Sequence, residues 1–191
     1  MIQLRTKAFP FLLTALAVGA DQLSKFFIVK NWPKNGTFIK DVFGNEFLEI
    51  YHVRNTAIAF SLGHNLPDVL RPFLFVLVPA AVLVFLVVYY FKSDEFTSLQ
   101  RWSVAGILGG GIGNLIDRVF RPEGVVDFIS VNFYGFLGFS RWPTFNFADS
   151  FVVVFGLLLL VTIFVKDNGL AREAKRGETV RGTGPESDGE Q

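Results

Sequence analysis

Carboxylates in apolar surroundings are the residues here whose types could do chemistry. Asp149, in the stretch FNFADSFVVVF, stands at the mouth of an apolar run that continues nearly unbroken to Val165, and Asp21, Asp117 and Asp127 are further carboxylates within or beside apolar runs. Two carboxyls sharing one proton can cleave an amide: one activates a water, and the other protonates or hydrogen-bonds the scissile carbonyl. A Ser/Lys mechanism competes with this reading. Ser24 and Lys25 are adjacent, about 100° apart on a helix, and cannot pair, although Lys25 could reach Ser61 or Ser150. An intramembrane GxGD site fails, because the corresponding run Gly111, Ile112, Gly113, Asn114 ends in an amide. The chain has no cysteine, which excludes thiol catalysis, disulfides and thiolate metal sites. His52 and His64 lack any metal-ligand spacing and read as structural or surface residues, so neither a metal nor a cofactor is expected.

The elements that must carry these groups are membrane helices. Of 191 residues, 51% are hydrophobic and 23 are Phe, more apolar surface than one small soluble core can hide. The net charge of +1 and the scattered basic residues give no sign of a nucleic-acid partner. Four segments reach the roughly 20 residues of a helical span, at about 9–29, 73–91, 102–119 and 147–165. The second and fourth are almost purely apolar, and Pro79 in the second is tolerable where neighbouring helices satisfy the freed carbonyl. The first and third carry Asp21, Gln22, Lys25, Asn114, Asp117 and Arg118, which must face the bundle interior. A cleaved secretory signal is the rival for the first segment, but the apolar character resumes at FFIV and favours a retained helix.

Between the spans, residues 30–72 carry turn signals and the strand-like EFLEIYHV, and residues 120–146 carry VVDFI and many aromatics. Four spans place both regions on one side, as a small β-rich platform. The N-terminus and a polar, disordered tail over 166–191 fall on the other, cytoplasmic side, on a slight Lys/Arg bias. Helical spacing gathers polar groups toward the platform: Asp21 with Lys25, Asn114 with Asp117 and Arg118, and Asn146 with Asp149. In GILGGGIG, Gly106 with Gly110 and Gly109 with Gly113 permit close helix approach or leave room for a ligand chain. Each group also has a bland reading. Asn146 or Asp149 could cap a helix, Asp127 could be a loop acid, and Asp117 with Arg118 or Asp21 with Lys25 could be structural ion pairs. A small transporter using the same polar stripes is the non-enzymatic alternative, but no convincing internal repeat is present.

Five separated motifs decide between these readings. DQLSK at 21–25, RNTAIAFS at 54–61, GGGIGNLIDR at 109–118, GVVDFI at 124–129 and FNFADS at 145–150 together resemble the lipoprotein signal peptidases, or signal peptidase II, over residues 9–165. The resemblance implies an α-helical integral membrane protein of four transmembrane helices with a small periplasmic β-rich cradle, forming a single peptidase domain over 1–165. It implies an aspartic endopeptidase of the bacterial inner membrane that cleaves a lipidated prolipoprotein before its diacylglyceryl cysteine. The active site would lie at the periplasmic leaflet. Asp127 and Asp149 would be catalytic, and Asp21, Lys25, Asn55, Asn114, Arg118 and Asn146 would support the site or bind substrate. Its partners would be the lipidated prolipoprotein and membrane lipids, and the chain is read as a monomer. One departure is visible: the family's second motif usually reads NTGAAFS, and the bulk of Ala57 and Ile58 here would narrow the substrate groove or alter its loop.

Overall fold

The computed structural model describes residues 6–56, 70, 73–138 and 140–182, with the side chains of Leu137 and of 166–182 excepted. Ala57, Ile58, Ser61, His64 and residues 183–191 lie outside the described residues. Four long helices and one small sheet make up the rest. Helix α1 (Phe11–Asn31) buries Thr14, Ala17, Asp21, Lys25 and Ile28, a single stripe at spacings of three and four. Its opposite face carries Leu16 and Leu23, each 70% exposed, as lipid-facing residues are when no bilayer covers them.

After a π-helical turn at Phe73–Leu77, helix α2 spans Val78–Lys92. Pro79 falls in its first turn, where a missing N–H breaks no helical bond. The proline expected inside a span is therefore tolerated by its position at a helix junction. Helix α3 (Ser98–Phe120) starts at a capping box in which Thr97 Oγ1 accepts from Gln100 N and Gln100 Oε1 accepts from Thr97 N. Helix α4 runs over Phe147–Gly182, so the backbone of the tail's first part, expected to be disordered, continues as helix.

Among the described residues, three stretches are long and apolar enough to cross a membrane: Thr6–Asn31, Phe73–Lys92 and Phe147–Val165. The expected fourth segment is a helix of 23 residues, α3, long enough to span but less apolar than the other three. It is the hub of the bundle, packing most extensively against α4 and α1. Glycines make that possible. A Cβ on Gly106 would strike the Phe155 ring, one on Gly110 the Ala148 carbonyl, and one on Gly109 the Ala17 Cβ at 2.6 Å. Of the two uses open to GILGGGIG, this is close helix approach.

The sheet is antiparallel, in the order β1 (Thr37–Asp41), β2 (Leu48–Asn55), β3 (Val125–Val131). Val126 and Phe128 of β3 pack with Ile28 at the end of α1, so strand alternation turns Asp127 to the other face. Phe145 then extends the pairing: its N donates to Ile129 O at 2.9 Å, and its O accepts from Ile129 N at 2.8 Å. This bridge delivers the start of α4 to β3.

Candidate active site

Asp127 is 2% exposed, and both of its oxygens are held by amides. Asn55 Nδ2 donates to Oδ2 at 2.9 Å, and Asn146 Nδ2 donates to Oδ1 at 2.7 Å. The first contact is a diagonal cross-strand pair, since the register sets Asn55 opposite Val125 and Val53 opposite Asp127. Gly124 admits it: at φ +100° its backbone lies against the Asn55 carbonyl, 2.5 Å from where a Cβ would stand. Burial, and after it the negative charge of Asp149, push the Asp127 carboxyl up to about 7, against the pull of the Asn55 and Asn146 hydrogen bonds and of Lys25.

Asp149 sits in the first turn of α4. Asn146 precedes that helix and caps it: Asn146 Oδ1 accepts from Asp149 N at 2.9 Å, and Asp149 Oδ2 accepts from Asn146 N at 3.1 Å. This is a capping box with Asp at the third position. Asp149 Oδ1 remains to accept from Asn114 Nδ2 at 2.7 Å. The bland reading of Asn146 and Asp149 as caps is thus correct, and it coexists with their place in the site. The side chain that caps α4 also bonds Asp127.

Asn114 and Asn146 are the connectors. Asn114 Oδ1 accepts from Asn146 Nδ2 at 3.1 Å and from Lys25 Nζ at 3.0 Å, which links the two aspartates to the charges on α1. Lys25 is fully buried and also pairs with Asp21 at 2.8 Å and Asp117 at 3.0 Å. Its three contacts are all to α1 and α3, and none is to a serine. The candidate serines are engaged locally: Ser24 Oγ donates to Asp21 O at 2.7 Å, and Ser150 Oγ donates to Asn146 O at 2.9 Å. The Ser/Lys alternative finds no Ser–Lys contact among the described residues, and Ser24 and Ser150 bond their own helix backbone.

Asp117 pairs with Lys25 and with Arg121, the latter at 3.0 Å, where sequence proximity suggested Arg118. The reason is helical: Arg121 is one turn on from Asp117, whereas Arg118 is rotated about 100° from it. Half-buried Arg118 instead adds its positive charge to the field at Asp149 and Asp127 as well as Asp117. Asp21, Lys25, Asn55, Asn114, Asp127, Asn146 and Asp149 are joined in one hydrogen-bonded network drawn from α1, β2, α3, β3 and the start of α4, which Arg118 faces by charge. His52 is structural, buried with Nδ1 2.5 Å from Trp32 O.

Sequence reasoning turned Gln22 to the bundle interior without giving it a place at the site, and it missed Arg121. Gln22 Nε2 donates to Asp21 Oδ2 at 3.0 Å, Gly113 O at 3.0 Å and Asp117 Oδ1 at 3.1 Å, and Arg121 closes the same cluster. The four-residue spacing of Asp117 and Arg121 was a readable signal; the reach of Gln22 across to α3 was not. The cavity lined by Thr6, Phe9, Pro10, Ser98, Arg101 and Trp102 lies at the other ends of α1 and α3 and contains no carboxylate.

Comparison with known proteins identifies what the chain is similar to. The family model of signal peptidase II matches residues 13–165. A lipoprotein signal peptidase of Treponema pallidum (strain Nichols) is 42% identical over 175 residues, covering 92% of this chain and 93% of the relative. One from Treponema denticola is 48% identical over 157 residues, covering 82% and 89%. A bacterial membrane enzyme structure determined by the in meso method at 2.3 Å superposes with a TM-score of 0.70 at 26% identity, covering 84% of this chain and 90% of that one. With a motif set, a carboxylate pair and relatives that agree over most of its length, the chain belongs to the signal peptidase II family of membrane proteases.

Proposed function

We propose that this protein is an intramembrane aspartic endopeptidase that removes signal peptides from diacylglyceryl-modified prolipoproteins, cutting on the N-terminal side of the lipidated cysteine. The observation that carries this is the joining of Asp127 and Asp149 through Asn146 and Asn114 at the point where α4 enters its apolar span. Asp127, pushed up to about 7, is the member that holds the shared proton, and Asp149 is the base. Asp149 takes a proton from water as its oxygen attacks the scissile carbonyl carbon, and Asp127 donates to the carbonyl oxygen. Collapse of the tetrahedral intermediate then breaks the C–N bond: the cysteine nitrogen leaves with the proton that Asp149 took from water, and the carbonyl re-forms as Asp127 recovers its own proton. An acylated cysteine keeps its chains in the bilayer, so a site at the membrane edge meets the scissile bond where it lies.

Acyl chains anchor and position the substrate in this reading, each buried methylene contributing ~0.8 kcal/mol. Purified protein should therefore release the signal peptide from a diacylglyceryl prolipoprotein far faster than from its unlipidated precursor. Equal rates for the two would exclude lipid recognition, and no release from either would exclude the peptidase reading.

In the membrane, α3 serves as the fourth span, its polar face turned inward on Lys25 and Asp149. The sheet and residues 120–146 then share the periplasmic side with the active site, while the N-terminus and the segment after Lys166 are cytoplasmic. Membrane-impermeant labelling of single cysteines at Lys34 and Arg141 should mark both from the same side. Labelling from opposite sides would require a different number of spans.

A further inference from the structure

Two buried carboxylates outside the proposed pair each hold the backbone amide one residue before one of its members. Asp117 Oδ2 accepts from Val126 N at 3.1 Å, directly before Asp127. Asp21 Oδ1 accepts from Ala148 N at 3.0 Å, directly before Asp149. Both carboxylates are fully buried, and α1 ties them together. Lys25 Nζ pairs with both, and Gln22 Nε2 donates to both. Gly113 leaves room for this, since a Cβ there would stand 2.7 Å from Asp21 Oδ2.

We infer that Asp21 and Asp117 are positioning residues that set the distance between the catalytic carboxylates by anchoring Ala148 and Val126 to the Lys25 ammonium. The inference rests on the proposed roles of Asp127 and Asp149. Ala148 N is one of the free donors of the first turn of α4, and without an acceptor that turn loosens and carries Asp149 with it. Val126 N sits at the start of β3, and its release lets Asp127 turn away from Asn146. Both anchors hang on one lysine, so the two elements cannot drift independently.

The test is kcat and KM on lipidated precursor for Asp117→Ala, Asp117→Asn, Asp21→Ala and Asp21→Asn, normalised to folded protein from size exclusion. Each Ala variant should lose about 100-fold in kcat, the order expected for a misplacement near 1 Å, with KM changed little. Each Asn variant should recover most of that loss, because an amide oxygen can still accept the backbone N–H and still face Lys25. Hydrogen exchange over 125–129 should accelerate in Asp117→Ala and stay slow in Asp117→Asn. Asp117→Ala added to Asp127→Asn should slow turnover no further, since it acts through Asp127.

A merely stabilising ion cluster would lower the yield of folded protein and leave kcat of the folded fraction intact; that result overturns the inference. So does an Asn variant as slow as its Ala counterpart, a readout that survives if the Ala variants fail to fold. Should Asp127→Asn and Asp149→Asn themselves retain activity, the proposed dyad fails instead. Inactive dyad variants beside fully active Ala variants refute the positioning role alone.

Discussion

Asp127→Asn and Asp149→Asn each slow single-turnover cleavage of lipidated precursor by about 10²- to 10⁴-fold, the range in which a general acid or base contributes. The double variant falls little further, because the two groups perform one proton exchange. Both proteins should fold and bind substrate, since Asn at 127 still accepts one of its two amide donors and Asn at 149 still bonds the Asn146 backbone. The pH profile carries the sign of the assignment. Asp127 must be protonated to act, so kcat should fall as pH rises through about 7. Its raised value also sets a stability slope. Between pH 3.8 and about 7 the native state holds a proton that the unfolded chain has released. Stability due to this group is therefore present below 3.8 and lost as pH rises through about 7, a penalty on the order of 4 kcal/mol. Asp127→Asn should be flat across that window and more stable than the parent at pH 8. Substantial activity in either single variant, checked for deamidation back to Asp, would remove that residue from the dyad, and a parent without the slope would remove the proton from Asp127.

What the sequence made legible follows from where periodicity speaks. The stripe from Asp21 to Lys25 and the capping spacing of Asn146 and Asp149 are local, and both geometries appear as spacing implied. The apolar length of 73–91 and 147–165 likewise yielded spans, because bilayer thickness is a fixed ruler. Cross-chain geometry was not legible. No local pattern says that Phe145 bridges to Ile129 or that a bulge in β2 sets Asn55 diagonally from Asp127, yet these two pairings bring the carboxylates together. Asp117 shows the same limit at shorter range. Sequence adjacency pointed to Arg118, while helical rotation gave it Arg121 and the fold added Lys25. Helix α3 lies between the two cases: its glycines and polar stripe lower its apolar character, and they are the features that let it occupy the centre of the bundle.

Lys25→Met should cost more stability than any other single substitution among the supporting residues. Lys25 has no exposed surface, and its ammonium compensates two fully buried carboxylates while donating to Asn114. Removing one partner of a buried charge pair typically costs about 3–5 kcal/mol, because the remaining charge is left without compensation. Here Asp21 loses the Lys25 ammonium while Asp117 keeps Arg121 at 3.0 Å, so the cost falls within that range and comes mainly from Asp21. Lys25→Arg should not rescue, since the larger guanidinium has no space in a site with no solvent-accessible margin. The neutral triple variant Asp21→Asn, Lys25→Met, Asp117→Asn should regain most of the lost stability: it removes the buried charges together and keeps oxygens for Ala148 N and Val126 N. Unfolding in mixed detergent micelles at pH 7 reads all three. An unchanged midpoint for Lys25→Met would mean that water or lipid reaches the ammonium site. A triple variant no more stable than Lys25→Met would place the cost in lost packing of the lysine stem and not in the uncompensated carboxylates.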